Sequence, residues 1–146
     1  MNWKIKWFEE LGVQEMYEIL QLRTEVFVVE QNCVYQDLDG KDNKSLHVSG
    51  YLNEVLVAYV RIVKAGVSYS EIAIGRVVVS PAHRHKSLGH EVMTKAIEIV
   101  ESQLGVQPIR ISAQSHLEKF YGKLGFVSTG KAYLEDGIPH IEMLRE

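Results

Sequence analysis

One cysteine, three prolines and no surplus of basic charge in 146 residues close off several function classes at once. Cys33 has no partner for a disulfide within the chain, so a disulfide-stapled scaffold is excluded. The formal net charge is -3, so no basic field advertises nucleic-acid binding. No apolar run approaches the roughly 20 residues that a helix needs to cross a bilayer. Residues 1–8 alternate like a strand and lack the apolar segment and cleavage site of a leader peptide. The expectation is a cytoplasmic protein without a nucleic-acid or membrane partner.

What remains is a globular composition, 46% hydrophobic and 24% charged, of a length that suits one domain over residues 1–146. Trp3, Ile5 and Trp7 alternate with Lys4 and Lys6, which predicts a first strand. Val13, Met16, Tyr17 and Leu20 form the stripe of a helix from Gly12 to about Phe27, and Val26 to Gln31 turns towards β-prone residues. Residues 37–44 are polar and turn-rich. Leu46–Tyr51 and Val55–Val63 read as a hairpin, and Ile72–Val79 as a central strand apolar almost throughout. A helix from Ser87 to about Leu104 carries Val92, Met93, Ala96, Ile97, Val100 and Leu104 at helical spacing. A short strand at Ile109–Ala113, a helix from Ser115 to about Leu124 and two final strands complete a mixed α/β sheet flanked by helices.

The hexad Arg84-His-Lys-Ser-Leu-Gly89 lies between the central strand and the longest helix. A helix start offers unpaired N–H groups and the positive end of the dipole, to which Arg84 and Lys86 add charge. Taken alone, the turn reads equally well as a seat for a phosphorylated ligand or as an ordinary connection.

Further matches tip that balance. The order of elements and the hexad resemble the GCN5-related N-acetyltransferase (GNAT) superfamily, whose turn reads Gln/Arg-x-x-Gly-x-Gly/Ala. Arg84 and Gly89 match it, while Ser87 replaces the middle glycine. Phe120-Tyr-Gly-Lys-Leu-Gly-Phe126 resembles a later segment of the same superfamily. Leu22–Gln31, Tyr35–Asp39 and Tyr133–Glu142 are similar to its ElaA-like branch.

The resemblance implies the GNAT fold and acetyl-CoA as acyl donor; no metal is expected, because His83, His85 and His90 cluster without an interleaved carboxylate. The acceptor it implies is an amine on a small molecule or peptide. Pyrophosphate contacts would come from Arg84 and the backbone of His85, Lys86, Ser87, Leu88, Gly89 and His90. Val77, Val78 and Val79 would offer backbone groups to the pantetheine arm. Ser87 keeps an N–H and adds a hydroxyl but loses glycine's backbone freedom, so weaker cofactor binding is expected; capping of the following helix is the other reading. Tyr121 takes the place of the general acid that reprotonates the leaving thiolate. Glu30, Asp37, Asp39 and His47 are the candidate bases, with Glu30 and His47 carried forward. Arg23 and Arg76 would hold an acidic acceptor or pair with acids such as Glu25 and Glu30. His83, His85 and His90 are read as part of a basic turn and Cys33 as a small semi-buried thiol. Many members of the superfamily pair as homodimers. The rival functions are a non-catalytic acyl-CoA-binding module and an acyl-homoserine lactone synthase.

Overall fold

In the computed structural model, residues 1–146 are described except for the side chains of His85 and Lys86. The strands are β1 (Asn2–Trp7), β2 (Ser45–Leu52), β3 (Val55–Val63), β4 (Ile72–Val79), β5 (Ile109–Gln114), β6 (Val127–Glu135) and β7 (Ile138–Arg145). They form one seven-stranded mixed sheet in the order β1-β2-β3-β4-β5-β7-β6. The helices are α1 (Val13–Arg23), α2 (Leu88–Ile99) and α3 (Glu118–Gly122).

Turn chemistry sets the two tight hairpins. Asn53 and Glu54 between β2 and β3, and Asp136 and Gly137 between β6 and β7, all have positive φ. That geometry matches the right-handed twist of the strands it joins. The sheet separates two cores. On one face α2 buries Val92, Met93 and Ala96 against Ala58, Val60, Ile74 and Ile111. On the other, α1 packs Ile19 and Leu22 against Tyr59 and Val78.

The helical pattern of residues 12–27 continues further than its residues suggest. Thr24–Glu30 stays helical as a wide π-type extension of α1, where Val26 to Gln31 was expected to turn β-like. Val26 packs with Ile19, Leu22, Tyr59 and Val78, and that burial outweighs the β-preference of a valine-rich run. Ser115 opens a short 3-10 turn, Ser115–Leu117, without a side-chain cap, so α3 is only Glu118–Gly122.

Two irregularities interrupt the centre of the sheet. β4 and β5 are parallel, yet they pair only at Ile72–Ile109 and Ala73–Arg110 and then separate. In β4, Arg76 and Val77 together face Val60, because the register slips between Tyr59–Val78 and Arg61–Gly75. Arg76 sits in this bulge at φ 51, a conformation that a side chain adopts only against steric cost. Among the described residues no helix is long and apolar enough to cross a membrane.

Candidate active site

The gap between β4 and β5 opens a cleft of about 850 Å³. One wall is β4 from Ile74 to Val79, whose β5-facing edge has no ladder partner beyond Ala73. Unpaired strand backbone in a cleft invites a ligand that hydrogen-bonds like an added strand. Val77, Val78 and Val79 lie on this wall. Arg84 and Gly89 border one end, and Tyr121 with Phe120 and Met93 line the wall on the α2 side. The other end is bounded by Cys33, Tyr35, Asp39, Ser112, Glu135 and His140.

At the Arg84 end the chain runs through a 3-10 turn, Pro81–Lys86, into α2. Ser87 adopts φ 56, ψ 29, the left-handed region where glycine is at ease. Its side chain makes no capping hydrogen bond, so the capping reading of Ser87 falls away. Leu88 is buried, and His90 opens away from the cleft beside Trp3 and Thr94. The side-chain contacts of His85 and Lys86 lie outside the described residues. The Arg84 guanidinium is held by Glu30 at 2.8 and 2.5 Å, and Arg84 Nε donates to the Val79 carbonyl at 3.3 Å.

Tyr121 is 9% exposed, with Phe120 and Phe126 edge-on to its ring at 5.1 and 6.1 Å. Burial pushes its phenol up to about 12, so it carries its proton throughout the neutral range. Its hydroxyl has no protein partner among the described residues. A protonated phenol with nothing to bind, on the wall of a cleft, is suited to donate to a ligand.

The N-terminal base candidates are placed less favourably. His47 is 1% exposed, lies outside the cleft and has both ring nitrogens engaged, Nδ1 with Tyr59 Oη at 2.7 Å and Nε2 with the Asp42 carbonyl at 2.9 Å. Burial lowers its proton affinity further. It is a structural histidine, and the expectation that it acts in catalysis is corrected accordingly. Glu30 is spent on Arg84, whose hydrogen bonds lower its carboxyl below the usual range. That pairing makes Glu30 a weak base, and it is set aside as well.

Asp37 and Asp39 belong to a buried charge network with Asp42, Arg23, Arg61 and Arg76. Arg23 reaches Asp37 at 2.9 Å and Asp42 at 2.7 Å, while Arg61 clasps Asp39 with two bonds of 2.8 Å. Arg76 Nε lies 2.8 Å from Asp37 Oδ1, close but without the alignment of a hydrogen bond, and its Nη2 donates to the Asp37 carbonyl at 3.0 Å. Both Arg23 and Arg76 therefore pair within this network and not with Glu25 or Glu30. Burial opposes ionisation of Asp39, yet the Arg61 bonds prevail and hold its carboxyl well below the usual range.

Residues 9–146 match the acetyltransferase (GNAT) domain family. The chain belongs to the GNAT family. It is 44% identical to Protein ElaA of Escherichia coli (strain K12), covering 100% of this chain and 97% of that one. A crystal structure of an acyl-CoA N-acyltransferase from Pseudomonas aeruginosa superposes with a TM-score of 0.94 at 42% identity, covering both chains completely. The crystal structure of Escherichia coli ElaA gives a TM-score of 0.92 at 44% identity, covering 99% of each chain. The seven-stranded sheet with its three helices is thus the GNAT acyltransferase fold, on an ElaA-like sequence.

Within this GNAT chain, sequence reasoning missed Ser112, Glu135 and His140. Glu135 and His140 stood inside the Tyr133–Glu142 stretch that carried the ElaA likeness, but nothing local signals that the cleft recruits them. His140 Nδ1 meets the Ile138 carbonyl at 2.7 Å, and Ser112 Oγ donates to Glu135 Oε1 at 3.2 Å.

Proposed function

We propose that this protein transfers an acetyl group from acetyl-CoA to a primary amine on a small molecule or a peptide. One observation carries the reading. A single cleft joins the Arg84–Gly89 turn, the unpaired edge of β4 and the phenol of Tyr121. Membership of the GNAT family supports the same reaction class.

In this reading the pyrophosphate rests on the backbone N–H groups at the start of α2, where helix ends leave donors unpaired. The pantetheine arm lies along Val77–Val79, and the β4 bulge at Arg76 presents backbone to the thioester carbonyl. Attack by the neutral amine forms the C–N bond, the C–S bond breaks, and Tyr121 gives its proton to the departing sulfur. Catalysis is then mainly positioning and polarisation of the thioester.

The test offers acetyl-CoA with small amines, polyamines and peptide amines, and follows the release of free thiol. Thiol release with at least one amine class is expected, together with a rise in melting temperature on adding acetyl-CoA. No melting shift at millimolar acetyl-CoA overturns the donor. A shift without thiol release across the panel overturns the transfer and leaves a binding module.

A further inference from the structure

We propose that His140, oriented by the Ile138 carbonyl and backed by Glu135, accepts the proton of a cationic primary amine bound at the Cys33–His140 end of the cleft. This rests on the acetyl-transfer reading and names the base that the reading leaves open.

Register brings the group together. β5 turns Ile109, Ile111 and Ala113 to the core beneath α2, which leaves Ser112 and Gln114 on the opposite face. Gln114 pairs with His140 of β7, and His140 pairs with Tyr133 of β6. By the same alternation Glu135 shares the face of Tyr133. Ser112 Oγ bonds Tyr133 Oη at 2.5 Å as well as Glu135, so three strands supply one polar cluster. Ser112, Glu135, Asp136 and His140 all line the cleft that also holds Tyr121.

The orientation of His140 then decides its chemistry. A carbonyl can only accept, so the 2.7 Å contact with Ile138 makes Nδ1 the donor and leaves Nε2 as the ring nitrogen without a backbone partner. Nε2 lies 3.5 Å from Glu135 Oε2, a carboxylate placed to stabilise the imidazolium once a proton arrives. The ring stacks on Tyr133 at 6.2 Å and 15°, which holds its plane. Glu135 and Asp136 line the cleft beside His140, with Tyr133 stacked behind the ring, and Cys33, Tyr35, Asp39, Lys41 and Arg76 line the same cleft. Asp39 and Arg76 are already bound to each other and to Arg61 and Asp37. Glu135 and Asp136 give the rim a negative edge, which suits an ammonium group.

An alkylammonium ion is unreactive until it loses a proton, and an imidazole nitrogen without a backbone partner is a group that can accept it. The ammonium gives one proton to His140 Nε2, and this proton passes to solvent. The freed lone pair forms the C–N bond, and the C–S electron pair leaves on sulfur. Sulfur takes its proton from Tyr121, and the second proton shed by nitrogen restores the phenol. One proton is released for each acetyl group transferred.

The test uses the full-length protein. Long-range ¹⁵N spectra, with and without coenzyme A, should show His140 protonated at Nδ1 and bare at Nε2 at neutral pH. Cadaverine, fully protonated there, should move the Nε2 resonance, and Glu135→Gln should shrink that response. In turnover with acetyl-CoA, His140→Gln should cost on the order of 100-fold with cadaverine. It should cost only about 3-fold with trifluoroethylamine, which is already largely neutral and needs no base. An Nε2–H tautomer, or equal losses with both amines, overturns the proposal. So does the absence of both turnover and an Nε2 response to cadaverine. Failure to bind coenzyme A strikes the acyl-transfer reading instead.

Discussion

At the scale of the residue, Tyr121 is largely cut off from water yet lines the cleft, and this combination suits the proposed acid role. Burial raises its pKa to about 12, so the folded protein holds the phenol protonated well above neutrality. The sign matters for activity: Tyr121 itself imposes no fall in turnover between about pH 8 and pH 10, because its proton leaves only above that range. Tyr121→Phe keeps the ring between Phe120 and Phe126 and removes only the proton. Turnover is expected to drop about 100-fold or more, with coenzyme A affinity changed less than about 2-fold. Steady-state kinetics beside calorimetric binding checks this, and an unchanged turnover removes Tyr121 from the acid role. Ser87 poses the converse case. Its φ of 56 costs a non-glycine residue on the order of 1 kcal/mol, and its hydroxyl caps nothing. Ser87→Gly is therefore expected to preserve or tighten coenzyme A binding. A loss beyond about 5-fold, which is more than conformational freedom explains, would show that the hydroxyl itself meets the phosphate.

At the scale of the element, the extension of α1 is tied to the turn before α2 by one ion pair, Glu30 with Arg84. Both side chains are substantially exposed, so the pair adds little to stability. Its effect falls on charge, because Glu30 neutralises the cation that borders the proposed phosphate end. Glu30→Gln is expected to tighten coenzyme A binding on the order of 2- to 5-fold, more at low salt than at high. Titrations at two ionic strengths test it; weaker binding would mean that Glu30 is needed to aim Arg84. Much at this scale was readable in advance. Strands such as β3 and β4 and the helix α2 follow local periodicity, and the Phe120–Phe126 segment marked Tyr121. The extension at Thr24–Glu30 was not, since Val26 is held in it by burial against Tyr59 and Val78, contacts that a local pattern does not display. Nor was the fate of His47, whose partners Tyr59 and Asp42 close on it through the β2–β3 pairing and the loop before it. His140 and Ser112 meet through the pairing of β5, β6 and β7, and a single sequence does not display register.

At the scale of the whole molecule, the loop between α1 and β2 is stitched to the sheet by charge and not by a hydrophobic seam. Asp37, Asp39 and Asp42 from the loop meet Arg23 from α1, Arg61 from β3 and Arg76 from β4. The cleft depends on that stitching, because Tyr35 and Asp39 form part of its wall. Breaking a buried pair costs more than the pair contributes, since the remaining partner is left uncompensated. Burial opposes ionisation of Asp42 as it does of Asp39, but the bonds from Arg23 hold its carboxyl low in turn. Both carboxyls are depressed relative to the unfolded chain, so their contribution is present above about pH 4 and is lost as pH falls below it. Asp39→Asn leaves Arg61, 4% exposed, with Asp42 alone and is expected to destabilise the fold by about 3 kcal/mol near neutrality. It should also flatten the fall of stability with pH below about pH 4, because the variant has one depressed carboxyl fewer to protonate. Urea unfolding across that range measures both effects. A variant as stable as the parent, with the same acid slope, would mean that the loop is held by packing and that the charges merely accompany it.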